Sequence, residues 1–293
     1  MKQFFTHTLA LLLVLALVAT DASAQQFSKR KQYNSVGVSL NAMNYFGDIT
    51  PKPSIPSFRA GATRPNLGLS FTRRFAPRIS VRAALAYGRI TGDDAKAADQ
   101  NDPDAKFRYN RNMNFRNDIL ELSAVGIFDL IENRNNYLKR PDFVPYLFGG
   151  VGVIHHNPKA TDANGNIVAL QPLRTEAQDK GYSLTQFVIP FGAGARYKLN
   201  KSFDLGLELG FRKTFTDYLD DVSGNYAPNR DALRSAQSQY FGWDITRNFP
   251  GTYDRTAQGG EMRGKSNEKD WYTTLGVSVN YILAPKVKSP KFR

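Results

Sequence analysis

The chain of 293 residues has no cysteine, which excludes a disulfide scaffold, thiol catalysis and a lipid-modified N-terminal cysteine. After residue 24 it also lacks any apolar run near the ~20 residues that a membrane-spanning helix needs. An inner-membrane helical protein is therefore excluded. The one apolar run, Leu9 to Val18, is too short to span; preceded by Lys2 and followed by Ala22-Ser23-Ala24, it fits a secretory signal over residues 1–24 with cleavage before Gln25. Acidic residues are scarce against basic ones, 26 to 39, for a net charge of +13. Such an excess suits nucleic acid, anionic lipid or an acidic protein partner, and its location must choose among them. There is no phosphate loop and no HExxH, so no cofactor or metal is expected from motifs.

What the chain does have is alternation. Phe203, Leu205, Leu207, Leu209 and Phe211 share one face of an extended segment, while Asp204, Gly206, Glu208, Gly210 and Arg212 share the other. One face is continuously apolar; the other mixes glycine with single charges, as the cramped interior of a narrow barrel requires when its exterior meets lipid. The same period of two predicts strands at 33–48, 66–75, 79–90, 114–130, 143–155, 184–199, from 203 onward, and 270–283. In the fourth, Ile119, Val125 and Ile127 interrupt the alternation. The proline-rich stretch 50–65 and the polar stretch 91–112 read as loops, and Asn164-Gly165 as a turn. Gly92-Asp93-Asp94 reads as turn chemistry only.

The fold expected is all-β: an eight-stranded antiparallel transmembrane barrel over residues 25–283, of the OmpA/OmpX-like kind. Short turns and both termini would lie on the periplasmic side and long loops outside. The 23 glycines, 14 tyrosines and 20 phenylalanines fit a lumen of small residues and aromatic girdles. A barrel of this size has room only for side chains. Arg74, Arg82, Glu121, Arg196, Glu208 and Arg212, if inward, would thus form a salt-bridged plug and not a pore.

Catalysis has two footholds, the pair His155-His156 and the acidic group Asp217, Asp220 and Asp221. Adjacent strand residues point to opposite faces, so only one of the two histidines can face inward. The acids have the chemistry to accept a proton or hold Ca²⁺, but their spacing matches no ligand motif. The plainer reading is that these rim carboxylates and histidines keep the loops soluble and hydrogen-bonded. Basic residues follow the termini and short turns, which argues against nucleic acid. Arg134, Lys139 and Arg140, with Lys286, Lys288, Lys291 and Arg293 of a basic tail at 284–293, form either a docking face for an acidic periplasmic partner or a set of cations snorkelling to outer-membrane lipid phosphates.

Seven segments carry a family resemblance: MNYFGDI (43–49), GRITGDD (88–94), NFRNDILELSA (114–124), YLFGGVGVIHHNPKA (146–160), IPFGAGARYKL (189–199), LGLELGFRKTFTDYLDDVS (205–223) and RGKSNEKDWY (263–272). Over nearly all of the mature chain, the sequence resembles the PorG-like outer-membrane barrels. The resemblance implies an eight-stranded outer-membrane barrel that associates, in type IX secretion, with a periplasmic ring of a lipoprotein and its partner. Loop 224–262 has no counterpart in that pattern. The expected function is non-enzymatic anchoring of a periplasmic assembly. The rival is a free-standing OmpX-like barrel binding an external ligand through its loops, with a rim-site hydrolase a distant third.

Overall fold

In the computed structural model, residues 31–49, 60–98, 101, 106–246 and 260–284 are described. The signal segment, the basic tail and part of loop 224–262 lie outside these. Among the described residues nine strands run in order: β1 Asn34–Phe46, β2 Arg64–Arg74, β3 Ile79–Asp93, β4 Asn114–Asp129, β5 Phe143–Thr161, β6 Ile167–Ala169, β7 Thr185–Lys198, β8 Phe203–Thr214 and β9 Trp271–Leu283. All pairings are antiparallel, and β1 pairs with both β2 and β9 while β4 pairs with β5, so the sheet closes on itself. β6 pairs only with the far end of β5. Eight staves therefore make the closed barrel, and no unpaired sheet edge runs its length.

Alternation sets the two faces. Val38, Leu69, Leu122, Val151, Phe187 and Leu207 point outward at 55–71% exposure, a girdle of apolar surface that lipid stabilises and water does not. Among the described residues no helix is long and apolar enough to cross a membrane; strands would do so here. The three short connections, at 75–78, 130–142 and 199–202, share one end with the chain's outer strand ends. In the last of these, Asn200 Oδ1 accepts from the amides of Ser202 (2.8 Å) and Phe203 (3.0 Å), an Asx turn that reverses the chain. The long connections share the other end.

The interior corrects several readings. Ile119, Val125 and Ile127 do not spoil β4: they face the lumen at 1%, 4% and 4% exposure. Val125 and Ile127 pack there with Tyr146 and Phe148. A Cβ on Gly192 would stand 2.8 Å from the Phe148 ring and one on Gly194 2.5 Å from that of Tyr146, so two bare stretches of β7 make room for two aromatic rings. Apolar and charged side chains share this level of the lumen: the Arg82 and Arg196 guanidiniums lie 5.2 Å from the Phe148 and Tyr146 ring centroids. β5 runs on to Thr161 and β3 to Asp93, past the ends their alternation suggested, and β2 begins at Arg64. Pro65 is tolerated because it sits at the strand's start, opposite Ala42.

Candidate functional site

Beneath the long loops, an apolar layer closes the barrel mouth. Leu219 and Val222, from the loop after β8, sit on Met43, Tyr45, Ile90, Ile119, Ile154 and Tyr272 with no exposure themselves. Above this layer is a buried polar cap. The Tyr45 hydroxyl lies 2.6 Å from Asp220 Oδ2 and 2.7 Å from Asp270 Oδ1. A phenol has one proton, so two fully buried carboxyls on one phenol require that one of them be protonated. Their remaining oxygens take the amides of Val222 (2.9 Å, to Asp220) and Leu219 (2.8 Å, to Asp270).

Asp221 accepts from Thr175 Oγ1 (2.5 Å) and Tyr182 Oη (2.7 Å). Arg263, with no exposed side-chain surface, bonds Glu176 (2.9 Å) and the Asp221 carbonyl (2.6 Å). Arg111 grips Asp94 with Nε at 2.8 Å and Nη2 at 2.9 Å and reaches the carbonyls of Asp48 and Arg263. Burial pushes the Asp217 carboxyl up to about 7 and that of Asp221 to about 6, the latter against the pull of Arg263. Asp220 and Asp270 stand well above the ordinary carboxylate range, chiefly through burial and then through neighbouring negative charge.

These acids hydrogen-bond the loops, as the plainer reading expects, but do not keep them soluble: Asp217, Asp220 and Asp221 are at most 2% exposed. Asp94 likewise is more than turn chemistry, being the buried partner of Arg111, while Asp93 caps the helical turn Asp94–Ala97 through the Lys96 amide (3.3 Å). No group of three metal-binding side chains occurs among the described residues. His156 faces inward, His155 outward. His156 Nδ1 stands 3.3 Å from Asn117 Nδ2 and its ring is stacked parallel to Tyr182, a packing arrangement without an attached nucleophile.

In the lumen, Arg82 meets Glu208 through Nη1 at 2.7 Å and Nη2 at 3.1 Å, and Tyr146 Oη adds a third bond at 3.0 Å. Arg212 stands 3.3 Å from Glu121, which also accepts from Tyr272 Oη at 2.8 Å. Nearer the short turns, Arg74 (2.7 Å) and Arg196 share one carboxylate, Asp129, which the sequence reading did not single out. Its position in phase with Glu121 along β4 was the signal. These bonds fill much of the lumen, where cavities of about 30, 60 and 10 Å³ remain.

Of the residues assigned to docking, Arg134 is exposed beside Glu132 (2.9 Å) and Lys139 is exposed. Arg140 is not available to a partner. It is 5% exposed, its Nε and Nη2 hold Asp204 at 3.0 and 2.7 Å, and its remaining donors bond the carbonyls of Tyr137, Asn200, Lys201 and Phe203. It ties one short connection to the next. Lys286, Lys288, Lys291 and Arg293 lie outside the described residues.

No curated protein matches the chain. Among solved structures it is similar to the attachment invasion locus protein Ail of Yersinia pestis, solved in complex with the heparin analogue sucrose octasulfate (9% identity, 86% of this chain and 99% of that one, TM-score 0.40). It is similar also to Neisserial surface protein A (10%, 85% and 96%, 0.39) and to a major outer membrane protein of Thermus thermophilus (12%, 85% and 99%, 0.38). A family model described as a domain of unknown function, DUF6089, matches residues 8–255, most of the chain and nearly every stave of the barrel. The protein belongs to that family.

Proposed function

We propose that the protein is an outer-membrane barrel that anchors a periplasmic assembly, as a PorG-like component of type IX secretion, with a periplasmic lipoprotein or ring protein as its partner. The observation that carries this reading is that the barrel is blocked twice, by the lumenal ion pairs and by the loop cap, so it offers surfaces and not a conduit. The apolar girdle supports the membrane placement, and the segment 1–24 supports export. On this orientation the short-turn end is periplasmic and presents Arg134 and Lys139; the basic residues of 284–293 are the other part of the proposed docking face.

Reversing Lys286, Lys288, Lys291 and Arg293 to Glu touches no strand and should leave a folded, heat-modifiable barrel. Co-purification of periplasmic proteins should fall, and the wild-type interaction should weaken with salt over a Debye length of ~8–10 Å. Undiminished capture by the reversed variant would reduce the tail to a lipid anchor. The rival, a free-standing barrel that binds an external ligand, draws on the built and buried loop cap; loss of phenotype on deleting the 224–262 loop alone would favour it.

A further inference from the structure

Three buried polar atoms without a protein partner lie together at the short-turn end: Arg74 Nε, Ser80 Oγ and Asn133 Nδ2. Their residues are 3%, 1% and 2% exposed. Each has a proton to give. Arg74 and Ser80 are directly opposed across β2 and β3, both inward, and both line the cavity of about 30 Å³ together with Thr72, Arg82 and Arg196. The adjoining cavity of about 10 Å³ shares Arg74 and Arg196 and reaches Asn133.

Charge runs the same way as the donors. Asp129 is the one carboxylate answering both Arg74 and Arg196, while Asp204, the other acid on the wall, is occupied by Arg140. The Tyr33 ring, 5.9 Å from Arg74 Cζ, only partly offsets the surplus. The surplus sits on Arg74, 3% exposed, and on Arg196, whose side chain is 18% exposed; a positive charge so largely removed from water and left uncompensated is costly. A water molecule would accept the free hydrogens but would leave that charge standing. The space holds one or two water-sized particles, too little for sulfate or phosphate.

We propose that this cavity binds one small monovalent anion of halide size, held by Arg74 Nε–H and Ser80 Oγ–H between the Arg74 and Arg196 guanidiniums. The anion completes a one-to-one count of charges that the protein alone leaves short by one.

The test uses the full chain folded in detergent, with chloride replacing gluconate at constant ionic strength. The unfolding midpoint should rise by a few degrees and saturate, and bromide should act alike. Crystals grown in bromide should show an anomalous peak within hydrogen-bonding distance of Arg74 Nε and Ser80 Oγ. Arg74→Gln, which restores the count without an anion, should abolish the halide dependence. Should that variant fail to fold, Ser80→Ala keeps the charge, loses one donor and should weaken the apparent chloride affinity roughly tenfold, about one hydrogen bond. Equal midpoints in chloride and gluconate, or a bromide soak without a peak at this position, would overturn the proposal.

Discussion

At the long-loop end, the carboxyls of Asp48, Asp94, Glu176, Asp217, Asp220, Asp221 and Asp270 gather round two fully buried guanidiniums, Arg111 and Arg263. Inside the barrel and toward the short turns, Arg74, Arg82, Arg140, Arg196 and Arg212 are set against Glu121, Asp129, Asp204 and Glu208. One end hides an excess of acid and the other an excess of base. The acid end has an internal remedy, because a carboxyl can hold its proton and become neutral. A guanidinium has none, since it does not deprotonate in proteins. The cap therefore balances itself with protons, whereas the lumen requires a partner from outside its own residues.

The comparison is broken most forcefully by removing the minority charge at either end. In the cap, Arg111→Met leaves Asp94 buried without its cation; in the lumen, Asp129→Asn leaves two guanidiniums facing each other. Each should cost about 3–5 kcal/mol, the usual loss when one partner of a buried pair is taken away. The two should differ in place. Arg111→Met should expose the loops to protease while the barrel stays heat-modifiable, and Asp129→Asn should lower the yield of folded barrel itself. Identical damage from both would mean that cap and barrel form a single cooperative unit.

Much of this was legible from residues alone, and the exceptions share a cause. Staves such as Phe203–Thr214 announce themselves because lipid and lumen demand opposite side chains at alternate positions. The β4 isoleucines and valine do not, since apolar side chains on the lumenal face as well erase the contrast that reveals a face. Asp217, Asp220 and Asp221 look like loop acids because sequence shows their number and not the phenol, hydroxyl and guanidinium that distant segments bring to them. Arg140 reads as one more rim cation beside Lys139; only the fold brings Asp204, 64 positions away, to its guanidinium. The long-range partner, more than the residue type, decides whether a charge is surface or structure.

Removing a majority charge should be far milder. Asp270→Asn keeps an oxygen for the Leu219 amide and supplies an N–H to the Tyr45 oxygen, whose own proton then goes to Asp220, so no carboxyl need stay protonated. The cap should gain on the order of 1 kcal/mol at pH 8 and little at pH 5, comparable to one well-made hydrogen bond. Loop protection against protease at the two pH values reads this out. A loss at both would show that Asp270 is needed as an acid and not merely tolerated as one.

The remaining effect is the pH dependence of the wild-type cap. Asp217 and Asp221 titrate near 7 and 6 in the closed cap, raised by burial, and Asp220 and Asp270 lie higher still. In an open loop each would return toward the ordinary value of ~3.9. A group that holds its proton more tightly when closed favours closure below the open-state pKa and loses that advantage as pH rises toward the closed-state one. Closure should therefore be firmest near pH 4 and weaken progressively to pH 7.5. The amides of Leu219 and Val222 report on it directly, as they donate to Asp270 and Asp220. Their hydrogen-exchange protection, corrected for the intrinsic rate, should fall across that range, while the Gly206 amide in the barrel wall serves as the control. The Asp270→Asn variant should flatten the profile, because it removes one of the two carboxyls that share the Tyr45 proton. Protection at Leu219 and Val222 that stays constant from pH 4 to 7.5 would mean that the cap's acids are neutralised by something other than protons.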